Sequence, residues 1–131
     1  VHRKGAARAF GPGTPGISLP YRALGQPVIV PGSMGETSWV MLATRDAMSK
    51  SFGSACHGAG RTMSRHEASY HGDPILDDQL ENRGVRVRSS DASTSGGVQL
   101  KENIDAVVDT VSGAGLAGKV ARLKPLAVVH G

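Results

Sequence analysis

Gln26 to Ala43 reads QPVIVPGSMGETSWVMLA, and the fold turns on how this stretch divides. Gln26 to Pro31 is a short apolar run bounded by prolines, which predicts a buried strand of three or four residues ended by Pro31. Trp39 to Ala43 is a second apolar run of strand type. Between them, Gly32, Ser33, Met34, Gly35, Glu36, Thr37 and Ser38 form a glycine-bearing loop with small hydroxyls. Strand, loop and return strand read either as a plain hairpin or as a purine or phosphate pocket. Glycine permits close approach, and serine hydroxyls both donate and accept.

Working outward, Thr44 to Phe52 (TRDAMSKSF) predicts a short helix or turn that leads into Gly53 to Arg65, GSACHGAGRTMSR. There Gly58-Ala59-Gly60 lets the backbone turn sharply and present its N–H groups to an anion. His57 stands at the mouth of this loop and Arg61 at its far end. Such a loop can hold a phosphate, offer an imidazole nitrogen to the phosphorus and neutralise the charge that develops. On pattern alone most Gly-X-Gly segments are turns, and a histidine beside one is a hydrogen-bonded loop residue. Cys56 precedes His57 directly. Neighbours in an extended segment point to opposite sides, so the pair makes a poor nucleophile and base; Cys56 reads as a buried structural thiol.

Further along, Met63 to Tyr70 reads as a helix whose N-terminal N–H groups would add to the anion site. His66 and His71 are five residues apart and miss the i, i+4 spacing of a helical metal pair, so both read as surface residues. Pro74 to Arg83 carries a helical stripe of Ile75, Leu76, Gln79 and Leu80, stopped by Gly84. Val85 to Arg88 alternates as a strand, and Ser89 to Gly97 is a loop. Asn103 caps a predicted helix with Ile104, Val107, Val108 and Val111 on one face, ended by Gly113 and Gly115. Lys119 to Val129 returns as a strand interrupted at Pro125. The alternation of elements predicts an α/β, mixed α+β, loop-rich arrangement.

Composition sets the bounds. The chain has 131 residues, net charge +4 and an isoelectric point near 9.6, which favours polyanionic partners. Aromatic residues make up 4%, too few for base stacking to dominate. A single cysteine excludes an internal disulfide and a zinc–thiolate cluster built by this chain, and fits a cytoplasmic setting. No apolar run approaches the ~20 residues of a membrane helix. Val1 to Arg8 (VHRKGAAR) crowds four basic side chains and reads as a solvated basic tail, unless a site claims it.

Several strings taken together point further: His2-Arg3-Lys4-Gly5-Ala6, Pro31-Gly32-Ser33-Met34-Gly35, Cys56-His57-Gly58-Ala59-Gly60-Arg61 with Met63-Ser64-Arg65, NRGVRVR at 82–88 and KVARLKPLAVV at 119–129. They resemble the C-terminal segment of the RtcB-type tRNA-splicing RNA ligases, which join 3'-phosphate and 5'-hydroxyl nucleic acid ends. The resemblance implies the C-terminal part of one ligase domain, with an upstream metal-binding portion outside these residues. It implies an RNA ligase of tRNA splicing and RNA repair that uses GTP and Mn²⁺, takes RNA with 3'-phosphate or 2',3'-cyclic phosphate and 5'-hydroxyl ends, and is open to an activating protein partner.

In that reading His57 carries the GMP adduct and Arg61 stands beside it. Pro31, Gly32, Ser33, Met34, Ser38, Gly58, Ala59, Gly60 and His130 line the guanylate, and Lys4 contacts phosphate or RNA. No metal ligand is expected from this chain. Two positions depart from the family pattern: His130-Gly131 stands where Lys-Gly is usual, and Ser89 to Lys101 offers no match for a base-contacting tyrosine. The alternative is a truncated or degenerate homologue that binds guanylate or phosphate without catalysis.

Overall fold

The computed structural model describes residues 1–32, 36–59, 81–89 and 103–130. The strand–loop–strand stretch forms β2 (Pro27–Val30) and β3 (Ser38–Ala43), antiparallel, with Val28 opposite Met41 and Val30 opposite Trp39. β6 (Ala117–Leu123) pairs antiparallel with the other edge of β3, giving the order β2-β3-β6. In β2, Val28 and Val30 are buried while Ile29 is 65% exposed, so the expected buried strand is half-buried. The reason is that a helix packs on one face of this sheet, and side chains alternate between faces.

That helix is α2 (Ile104–Gly113). Asn103 caps it as expected: its side-chain oxygen accepts from the Asp105 N–H at 2.9 Å, satisfying one donor that the first turn leaves free. Gly115, with φ +75, turns the chain out toward β6. Ile104, Val108 and Val111 share one face and meet Val28, Val30, Met41, Ala43 and Ala117 in a common core with Ala9 and Ala55. Each fully buried aliphatic side chain contributes about 1.5–3 kcal/mol, so α2 is held chiefly by this face.

Two smaller strand pairs complete the mixed α/β fold. β1 (Ala6–Arg8) pairs antiparallel with β4 (Ser54–Cys56), and β5 (Arg86–Ser89) pairs parallel with β7 (Ala127–His130). The break at Pro125 separates β6 from β7 as expected. α1 (Asp46–Ser51) links β3 to β4. Its exit needs glycine: Gly53 has φ +64, and a Cβ there would stand 2.6 Å from the Phe10 ring and 2.8 Å from the Met48 sulfur. No helix among the described residues is long and apolar enough to cross a membrane. The expected helices at Met63 to Tyr70 and over most of Pro74 to Arg83, with His66 and His71, lie outside the described residues, as does most of the loop at Ser89 to Gly97.

Candidate functional site

The amino-terminal segment is no solvated tail. Arg3 donates to the Ser54 hydroxyl at 2.8 Å and to the carbonyls of Phe52 and Gly53 at 2.9 and 3.3 Å, placing its cation at the C-terminal end of α1. Arg3 and Arg8 also lie over the Phe10 ring, 5.6 and 5.1 Å from its centre. This docking sets the β1–β4 register, with Ala6 opposite Cys56. The residues just before β1 are thereby brought beside those just after β4, which are Lys4 with Gly5 and His57 with Gly58. Lys4 and His57 are both exposed.

Cys56 and His57 part as strand geometry requires. Cys56 packs against the core while His57 faces outward. Burial pushes the Cys56 thiol up, and a backbone hydrogen bond only partly offsets this. A thiol held neutral is a weak nucleophile, and among the described residues of this segment the His57 imidazole is the exposed candidate.

Next to His57, Gly58 lies against the loop between β2 and β3. A Cβ built on Gly58 would stand 3.3 Å from the Pro31 carbonyl oxygen and 3.8 Å from its ring. The loop is closed at its neck by a hydrogen bond from the Gly32 N–H to the Ser38 hydroxyl oxygen at 3.1 Å. Ser38 therefore accepts there, and a hydroxyl that accepts one hydrogen bond can still donate another. Gly32 has no room for a side chain, since a Cβ would collide with the Thr37 carbonyl oxygen. Ala59 turns back and packs against the core.

The structure thus brings Gly58 against Pro31 and Gly32 against Ser38, with His57 beside Gly58 in the chain and Lys4 two residues before the β1–β4 pair. Ser33, Met34, Gly60 and Arg61 lie outside the described residues. His130 is described only by its strand position, opposite Ser89. Among the described residues no group of three or more His, Cys, Asp or Glu could hold a metal ion. A manganese ion serving this site would need ligands from beyond them.

Sequence reasoning passed over a second cluster, at the same end of β3 as Ser38. Asp105, in the first turn of α2, accepts from the Trp39 indole at 2.7 Å and the Thr37 hydroxyl at 3.4 Å, and pairs with Arg122 at 2.7 Å. Arg122 also donates to Thr37 at 3.3 Å. A register shift opposite Val40 and Met41 leaves Val120 as an extra residue in β6. In a regular strand residues three apart point to opposite faces. The extra residue puts Lys119 and Arg122 on the same side, 5.3 and 6.0 Å from the Trp39 ring centre. The acid at the second position of a capped helix and the basic residues of β6 were the available signals.

Comparison with known proteins adds to this geometry. A family model for the tRNA-splicing ligase RtcB matches residues 1–131. The tRNA-splicing ligase RtcB of Pyrococcus abyssi is 49% identical over 137 residues, and that of Archaeoglobus fulgidus 45% over 139. The RNA-splicing ligase RtcB homolog 1 of Entamoeba dispar is 44% identical over 137 residues. Each alignment takes in 100% of this chain and 15%, 28% and 25% of the respective relative. The chain spans less than a third of the length of these relatives.

Proposed function

The chain belongs to the RtcB tRNA-splicing ligase family, and from that premise we propose that it carries the guanylate-accepting histidine of a GTP-dependent RNA ligase, as the C-terminal part of that ligase's domain. The observation that supports this most is the approach of Gly58 to Pro31. It brings the residue after the exposed His57 against Pro31 at the neck of the Gly32–Ser38 loop, which supports a reading in which the two segments share one small-ligand site.

In the proposed reaction a ring nitrogen of His57 attacks the α-phosphorus of GTP. A P–N bond forms, the bond from the α-phosphorus to the bridging oxygen breaks, and pyrophosphate leaves. The imidazole then sheds its remaining N–H proton. Manganese, bound by residues outside those described, would brace the triphosphate. An oxygen of an RNA 3'-phosphate displaces the histidine from the guanylate. The 5'-hydroxyl of the second RNA then attacks the 3'-phosphorus and expels GMP, leaving a phosphodiester. Lys4 and Arg61 supply positive charge to the phosphates. Ser38, Ser33, Met34, Gly60, Ala59 and His130 shape the guanylate pocket.

The test is covalent labelling with α-phosphate-labelled GTP and Mn²⁺, on the natural polypeptide that carries residues 1–131. An acid-labile adduct is expected, and His57→Ala should abolish it. An adduct of undiminished yield in that variant overturns the assignment. A folded wild-type protein that binds GTP and forms no adduct is instead the guanylate-binding homologue without catalysis.

A further inference from the structure

A second concave surface borders the Gly32–Ser38 loop. It is a cleft of about 500 Å³ lined by Thr37, Arg83, Val85, Arg122, Lys124 and Pro125. Three of these six side chains are cationic, and among the described residues none is acidic. Arg122 is fixed and largely neutralised by Asp105. Arg83 and Lys124 are exposed and make no ion pair among the described residues. Among the described residues the cleft therefore presents two charges without an acidic partner, next to the buried Val85 and to Pro125, which is conformationally stiff.

Cations beside an apolar surface suit a sugar–phosphate strand: the phosphates would meet the guanidinium and ammonium groups, with a ribose against Pro125. The placement fits the same partner. Thr37 lines the cleft, its backbone abuts Gly32, and Pro31 abuts Gly58 beside His57. A short chain of backbone contacts, Thr37 to Gly32 and Pro31 to Gly58, thus links the cleft lining to the residue after His57. The cleft is also separate from the guanylate end of β7. It adjoins the start of that strand, whereas His130 lies three residues further, about 10 Å at the rise of a strand.

We propose that this cleft holds internucleotide phosphates of the RNA being joined, upstream of its 3'-phosphate end, through Arg83 and Lys124. The inference rests on the RNA-ligase reading above. It predicts a length requirement, because only an RNA that extends past the reacting end reaches the cleft.

The test measures binding of 3'-phosphorylated RNA, as a dinucleotide and as a 10-mer, over a range of salt concentration. It compares the natural polypeptide with its R83Q/K124Q variant and with the charge-conserving R83K/K124R variant. For the glutamine variant, 10-mer binding should weaken on the order of tenfold and the salt slope should flatten by about 1.4, the value for two phosphate contacts on a single strand. Dinucleotide binding should hold, and the charge-conserving variant should stay near wild type for both RNAs.

An unchanged 10-mer affinity and salt slope overturns the proposal. So does an equal loss for both lengths, or competition by inorganic phosphate alone at the same cleft, either of which would make it a site for a free phosphate. If the glutamine variant misfolds, the charge-conserving variant decides: weakening tenfold for the 10-mer while folded would show that charge is not what the cleft supplies. Formation of the His57 adduct in the unsubstituted protein separates the two claims. With the adduct present, a negative binding result removes only this inference; without it, the ligase reading goes first.

Discussion

The two ends of the Gly32–Ser38 neighbourhood are built by opposite means. On the His57 side the parts are assembled by backbone: the β1–β4 register, the approach of Gly58 to Pro31 and the Gly32 N–H on Ser38. The side chains of Lys4 and His57 are left exposed. At the Asp105 corner the side chains are spent on one another, as Trp39, Thr37 and Arg122 all converge on one carboxylate. A site that must take a changing substrate keeps its polar side chains free and obtains its shape from glycine and strand pairing. A corner that only fixes the sheet edge to the helix can use its side chains up.

The sharpest way to break this contrast is to add one carbon. In Gly32→Ala the new Cβ collides with the Thr37 carbonyl, so backbone and not a flexible side chain must move. The expected cost is about 2–3 kcal/mol of stability, from overpacking together with the lost hydrogen bond to Ser38. The adduct at His57 should fail with it. Gly58→Ala meets the Pro31 oxygen at 3.3 Å, which a small shift of the loop relieves. It should cost less than about 1 kcal/mol yet slow adduct formation, because the shift moves the neighbour of the proposed nucleophile. Denaturation midpoints and labelling rates read the two effects separately. Equal stability losses in the two variants would mean that the loop neck is not held as described.

How much of this was legible beforehand follows the same division. β2, β3, α2 with its Asn103 cap, the Val85 to Arg88 strand and the break at Pro125 announce themselves through local signals, which are apolar runs, a capping side chain and proline. β1 and β4 are three residues each, too short for a period, and Arg3 meets Ser54 across 51 positions. Nothing local distinguishes such a segment from a basic tail. The half-exposure of β2 was hidden for a related reason: Val-Ile-Val is equally apolar whether one face or two are covered. For the candidate site, residues were named from their motifs. The contact of Gly58 with Pro31 is tertiary and has no trace in spacing.

A smaller effect tests the other member of the comparison. Asp105→Ala removes the acceptor of the Trp39 indole and the partner of Arg122. The Asp105 and Arg122 side chains are 37% and 54% exposed, so solvent already screens their pairing and the ion pair itself adds little. The partly buried indole bond carries most of the loss, expected at about 1–2 kcal/mol. Trp39 is the only tryptophan in these residues, so its fluorescence reports the change directly. An unaltered denaturation midpoint would show the corner to be decoration.

The smallest expected effect separates Cys56 from its neighbour. Burial favours the neutral thiol, so the folded protein holds that proton more tightly than the unfolded chain, whose thiol titrates at about 8.5. The resulting stability is fully present below the unfolded value and is lost as pH rises through the folded one, so it shows only on the alkaline limb. Alkylation by iodoacetamide follows the thiolate. Its rate in the native protein should rise at higher pH than in the urea-unfolded chain, with no change in the His57 adduct when Cys56 is replaced by alanine. A native profile that rises at lower pH instead would place a thiolate at the mouth of the loop. The reactive group would then have to be shared between the two residues, and the outward histidine would no longer stand alone as nucleophile.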